Sequence, residues 1–216
     1  MGRLEPGHFD DVWSLQGEIL AHLDDPESYE PITREELGEV LSSGGLAVGI
    51  WHEKTLVGFY SAFCPLPYTW MLTRAGLGPD ELEKSAYILA ILVHPEWRGR
   101  HFQHLMGCFL RQELLRLRPI RYLAVVVHPG NQASIREQFA QGMRAIALQE
   151  MFGGKSRLLF FRDLQAESVA KGEAKTIPLS DLSRLRETLD TGWQGVKLAR
   201  VDEGWLVHLV LPPSPR

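Results

Sequence analysis

Tyr87-Ile88-Leu89-Ala90-Ile91-Leu92-Val93 is an unbroken apolar run, and Arg98-Gly99-Arg100-His101-Phe102-Gln103 follows shortly after it. The run predicts a central strand buried on both faces. From about His101 to Leu117, the residues Phe102, Leu105, Met106, Phe109, Leu110, Leu114 and Leu117 form one wide stripe at helical spacing, closed by Pro119. The arrangement is strand, arginine-rich turn, helix. A helix start leaves several backbone N–H groups unpaired, and with the helix dipole they make an anion site suited to a pyrophosphate. Arg98 and Arg100 would add charge-assisted contacts. The alternative is a surface turn with solvated arginines.

Upstream, Val12, Leu15, Ile19, Leu20 and Leu23 give a first helix stopped by Asp24-Asp25-Pro26. Thr33-x-x-Glu36 is a capping box ahead of a second helix carrying Leu37, Val40 and Leu41. Leu46–Trp51 and Leu56–Cys64 read as an antiparallel hairpin around His52-Glu53-Lys54-Thr55. Residues 65–83 show no clear period and predict a long excursion over one end of a sheet. Downstream, Tyr122–Val127 is a strand, followed by His128-Pro129-Gly130-Asn131 and a helix reaching about Gln141. Arg144–Gln149 and Ser156–Arg162 form a strand pair around Gly153-Gly154-Lys155. No internal repeat is visible.

The polar stretch 166–176 reads as a linker between a domain at 1–165 and an extension at 177–216. The extension is a short helix with Leu182, Leu185 and Leu189, then a hairpin of Val196–Val201 and Trp205–Leu211. A unit this small cannot bury enough surface to stand alone. It is expected to cover a sheet edge or end, and a homodimer is favoured over a monomer.

The chain has 216 residues, 44% hydrophobic and 23% charged, with a net charge of −4. That balance is that of a globular protein and argues against bulk binding to nucleic acid or an anionic membrane. Two cysteines, Cys64 and Cys108, make no disulfide framework. The apolar runs fall far short of the ~20 residues of a membrane span, and the amino end lacks a secretory pattern, so a cytoplasmic location is expected. His94, His101, His104 and His128 could sketch a metal site, but no carboxylate or cysteine stands in a ligand spacing with them, and no metal is expected.

The order of elements and these residues resemble the GNAT superfamily of acyl-CoA-dependent N-acetyltransferases. The family's cofactor motif is Arg/Gln-x-x-Gly-x-Gly/Ala after a strand ending in Val-x-Pro. Here Val93-His94-Pro95 precedes Arg98, while His101 and Gln103 stand at the two glycine positions. The family follows its next strand with Asn-x-x-Ala/Ser and a helix closed by Gly-Phe. Asn131, Ser134 and Gly142-Met143 occupy those places. The likeness covers about residues 1–165.

The resemblance implies an α/β fold with a mixed, mostly antiparallel central sheet flanked by helices. It implies acetyl-CoA or another acyl-CoA as cosubstrate. The pantetheine arm would pair with backbone near Ile91 and Val93 as an added strand does. In the cofactor turn Arg98, Gly99, Arg100, His101, Phe102 and Gln103, the pyrophosphate would sit over the amides from Arg100 to Gln103, with Asn131 and Ser134 facing the arm from the following helix. His101 and Gln103 would keep their amides available if the turn is already helical there. The family's tyrosine acid maps onto Gln138, which cannot act as one, and its glutamate base maps onto Tyr87. Tyr87 is therefore the catalytic candidate, against a plain core aromatic. The basic run Arg111, Arg116, Arg118 and Arg121 is either a solvated helix face or a site for the nucleotide's 3′-phosphate. The expected activity is transfer of an acyl group to a primary amine of a small molecule or protein. A non-catalytic acyl-CoA-binding module of the same fold is the alternative.

Overall fold

The structure is a computed structural model that describes residues 1–23, 25–166 and 172–212. Its first elements are β1 (Gly2–Arg3), α1 (Phe9–Leu20), α2 (Arg34–Ser42), β2 (Gly45–His52), β3 (Thr55–Phe63), α3 (Thr69–Arg74), β4 (Ser85–Val93) and α4 (Phe102–Leu117). They are followed by β5 (Tyr122–Val127), α5 (Gln132–Ala140), β6 (Arg144–Met151), β7 (Lys155–Asp163), β8 (Glu173–Pro178), α6 (Leu182–Asp190), β9 (Gln194–Val201) and β10 (Gly204–Leu211). The class is α/β, with mostly antiparallel strands flanked by helices. Two compact units divide the chain: Met1–Thr69 with Gly78–Leu123, and Trp70–Leu77 with Ala124–Arg216. This division differs from the boundary expected at 165, and β5 straddles it.

In the first unit the strand order is β1-β2-β3-β4, antiparallel throughout. The capping box forms as expected: Glu36 N–H donates to Thr33 Oγ1 at 3.1 Å, and Thr33 N–H donates to Glu36 Oε2 at 2.9 Å. Val12, Leu15 and Ile19 of α1 and Leu37, Val40 and Leu41 of α2 are buried, and these helices pack on β3 and β2. Helix α1 stops at Leu20; Asp24 lies outside the described residues. Residues 65–83 are more ordered than expected, holding α3 and the start of a 3-10 turn at Pro79–Lys84.

Two expectations about the decisive segment are corrected. Strand β4 is not buried on both faces: Ile88, Ala90 and Leu92 are buried while Leu89, Ile91 and Val93 are half-buried. The stripe of α4 is narrower than its apolar residues suggest. Met106, Leu110 and Leu114 are buried, whereas Leu105 and Leu117 are each 48% exposed and Cys108 is partly exposed. A helix resting on a sheet covers only one side of itself, so apolar residues at the margin of the stripe stay wet.

In the second unit the order is β5-β7-β6-β9-β10-β8. The stretch 166–176 read as a linker runs into a strand. Residues 167–171 lie outside the described residues, but Glu173–Pro178 is a strand, paired antiparallel with β10 from Leu206↔Pro178 to Leu211↔Glu173. The C-terminal extension is therefore strand, helix, hairpin rather than helix and hairpin. Among the described residues no helix is long and apolar enough to cross a membrane.

Candidate functional site

Strand β4 carries an irregularity that its continuous apolar sequence hides. The register with β3 runs Ser61↔Ala90 and then Ala62↔Ile88, so Leu89 is an extra residue on β4. Bulges of this kind bend a strand and re-aim its side chains, often beside functional sites. Beyond the bulge, Tyr60↔Ile91 and Gly58↔Val93 continue the ladder to the strand end.

The turn after β4 is tied down on several sides. His94 N–H donates to Val57 O at 3.0 Å. Its Nδ1 accepts from Glu96 N–H at 3.4 Å, and its Nε2 lies 3.3 Å from Glu18 Oε2, which assigns the ring proton to Nε2. Trp97 stacks with Phe102 at 6.0 Å and meets His52 at 4.4 Å, and the Arg100 guanidinium lies 4.6 Å over its ring. Arg98 Nε donates to Val93 O at 3.3 Å, so this arginine braces the end of β4. Gly99 has φ +77°, and His101 has φ +60° and ψ +17°.

His101 is thus not helical, as the sequence reading required, but left-handed, the conformation a glycine would take there. Non-glycine residues pay for this geometry, although histidine is among those that tolerate it. The helix begins at Phe102, and its first bond runs from Leu105 N–H to His101 O at 3.0 Å. Amides ahead of that bond point out of the helix end. Gln103 Nε2, in the first turn, is buried and has no hydrogen-bond partner among the described residues. These features suit an anion, and they place Arg98, Gly99, Arg100, His101, Phe102 and Gln103 on one turn.

The basic run that follows is already engaged. Arg116 pairs with Glu113 at 2.8 Å, and Arg118 donates to Cys64 O at 2.8 Å and Ser43 O at 3.4 Å. Arg121 lies 4.9 Å over Tyr122, and Arg111 reaches Cys108 Sγ at 3.7 Å. Burial pushes the Cys64 thiol up to about 11, opposed by Arg118, which leaves it a poor nucleophile. Among the described residues no group of three or more His, Cys, Asp or Glu could hold a metal; His128 Nδ1 accepts from Gly130 N–H at 3.1 Å.

Tyr87 is 4% exposed and meets Tyr68 edge to face at 5.4 Å. Tyr68 escaped the sequence reading because it lies in the stretch without a period. Desolvation and the charge of Glu36 raise its hydroxyl above the ordinary value.

In the second unit, Asn131 and Ser134 come together at the start of α5. Asn131 Oδ1 accepts from Ser134 N–H at 3.0 Å, so the Asn-x-x-Ser spacing is a helix N-cap. Gln138 is 0% exposed, and neither atom of its amide has a partner among the described residues. A buried amide left unpaired is costly and calls for an explanation.

No protein-family model matches the chain, and no curated protein matches its sequence. Solved structures do match its fold. An N-acetyltransferase from Staphylococcus aureus Mu50 is similar at TM-score 0.56 and 13% identity, over 76% of this chain and 96% of that one. The ribosomal-protein-S18-alanine N-acetyltransferase from Escherichia coli gives 0.55 and 14%, over 76% and 93%. Arabidopsis thaliana NAA60, solved in complex with acetyl-CoA, gives 0.58 and 14%, over 76% and 97%. The chain has the fold of the GNAT acetyltransferases. Each match leaves about a quarter of this chain uncovered.

Proposed function

We propose that the chain is an acyl-CoA-dependent N-acyltransferase that moves an acetyl group to a primary amine of a small molecule or protein, in the cytoplasm. The observation that carries this reading is the turn after β4. Two left-handed residues, Gly99 and His101, bring the chain into a helix start flanked by two arginines and the buried Gln103 Nε2. Acyl-CoA supplies the activated thioester. The amides of the turn hold its diphosphate, and Arg98 and Arg100 add charge-assisted contacts. The half-buried residues Ile91 and Val93, near the end of β4, would offer backbone groups to the amide-containing arm.

In the reaction a neutral amine forms a bond to the thioester carbonyl carbon, and the carbon–sulfur bond breaks. The amine loses its proton and the departing thiolate gains one. Tyr87, paired with Tyr68, is the candidate for moving that proton or orienting the water that does. Holding the two reactants in line supplies up to ~7–11 kcal/mol without any acid or base. Acetyl-CoA turnover against a panel of amines tests the reading. Tyr87→Phe is expected to lower turnover ~10²–10⁴-fold with thermal stability kept; full activity in that variant returns Tyr87 to the core.

A second reading is favoured by Gln138, which stands where the family has its tyrosine and has no proton to give. A module that binds acyl-CoA without turnover predicts stabilisation by acetyl-CoA and no acetylated product with any amine.

A further inference from the structure

The two halves of the second unit follow one plan. Each is a strand, a helix and a hairpin: β5-α5-β6-β7, then β8-α6-β9-β10. The correspondence holds residue by residue at a spacing of fifty positions. Asn131 caps α5 by accepting from Ser134 N–H at 3.0 Å, and Asp181 caps α6 by accepting from Arg184 N–H at 3.1 Å. Ile135 and Leu185 are both fully buried, and Met143 and Trp193 are both buried. Gly142 and Gly192 end the helices with φ +77° and +89°. Arg136-Glu137 repeats as Arg186-Glu187, and Leu148 as Leu198. In both halves the last strand lies between the first and second, so the order β5-β7-β6 is followed by its reverse, β9-β10-β8.

The halves meet as the two sides of a two-fold contact do. Strands β6 and β9 pair antiparallel at Ala145↔Gly195, which are equivalent positions. Arg144 donates to Gln194 Oε1 at 2.8 Å, again between equivalents. Helix α5 packs on β9, and α6 packs on β6. In an isologous interface residue i meets j′ while j meets i′, and an arbitrary appendage has no reason to reproduce that reciprocity.

We infer that residues 173–211 are an internal second copy of the module 122–163, and that the β6 edge is a self-complementary association surface whose partner is a copy of this same module, supplied within the chain. The copy is not a passive repeat. A Cβ on Gly195 would lie 3.0 Å from the Ala145 Cβ, closer than side chains at a strand pair sit. Two identical modules would set alanine against alanine; a duplicated one can set alanine against glycine. The far end of the copy is a finished edge. Strand β8 lies last in the order, exposes Glu173, Ala174, Thr176 and Pro178, and carries Lys175 3.9 Å over Trp193. Charge and proline on a short edge strand discourage further pairing. The expected homodimer is therefore not needed to close this edge.

The inference rests on the fold and not on the proposed activity, and its test uses the full chain without acyl-CoA. Gly195→Ala is expected to lower Tm by several degrees. Because positions 145 and 195 are equivalent about the axis, Ala145→Gly in the same chain is expected to recover most of that loss. A double variant no more stable than the sum of its single variants overturns the symmetry. A protease site placed between Ala166 and Gly172 and cut after folding gives the second arm. The pieces are expected to co-elute at the intact mass; elution apart, with the larger piece keeping its Tm, overturns the partner role.

Discussion

The first and second modules of the second unit share a skeleton and differ in their faces. Both keep an acidic or amide N-cap, an apolar residue one turn into the helix, and a left-handed glycine at its end. Only the first has a strand that is buried along most of its length, since Tyr122–Val125 and Val127 are buried while in Glu173–Pro178 only Lys175 is partly and Ile177 fully covered. Only the first has Gln138; the second has Thr188 there. The second copy thus works as an internal control. What both retain is needed to fold a strand-helix-hairpin, and what the first alone has is where function can lie. By that logic Asn131 is first a helix cap, and the partly exposed Ser134 is the stronger candidate for touching a ligand.

The largest expected effect separates ligand binding from this skeleton. Arg98→Ala should weaken acetyl-CoA binding by about 1.5–3 kcal/mol in calorimetry, with the fold intact. Arg184→Ala, in the second module, should leave that affinity unchanged. Equal losses would dissolve the distinction between the regions.

Next come the helix-ending glycines. Gly142→Ala and Gly192→Ala each force a side chain into the left-handed region, at about 1–2 kcal/mol. Gly142 should be the worse, because its Cβ would stand 3.3 Å from the Arg162 guanidinium while Gly192 faces open space. Chemical denaturation measures both, and a costlier Gly192 would reverse the comparison.

The caps should then behave alike. Asn131→Ala and Asp181→Ala should each cost about 0.5–2 kcal/mol, and Asn131→Asp should be close to neutral. A loss of acetyl-CoA affinity in Asn131→Asp with stability unchanged would give that residue a role its counterpart lacks. The smallest effect on stability is expected for Gln138→Leu. Removing an amide that has no partner should leave Tm unchanged or raise it, whereas a fall would reveal a bond that holds the amide in solution.

Much of the fold was legible before the structure because local chemistry announces it. Thr33 and Glu36 cap where the spacing says, and the strand Tyr122–Val127 has the bounds read from its β-branched run. Strand β8 was missed because an edge strand needs little apolar surface, and Glu173, Lys175 and Thr176 read as linker. The duplication was missed because a cap, a glycine and a few buried positions suffice to repeat a fold, and they leave few identical residues. At the site, the arginine turn was visible, but the bulge at Leu89 and the left-handed His101 were not. Both are choices of backbone made by packing, inside stretches whose composition gives no sign of them.

Among the described residues, β6 and β9 pair at Ala145↔Gly195 and are joined by the Arg144–Gln194 hydrogen bond, with α5 packed on β9 and α6 on β6. Between separate subunits such a contact would be lost progressively at low abundance. A partner on the same chain faces the edge at an effective concentration on the order of millimolar, however dilute the protein. The contact is therefore buffered against scarcity: the thermal midpoint should not move as the protein is diluted, where an interface between separate chains would lose stability with every decade.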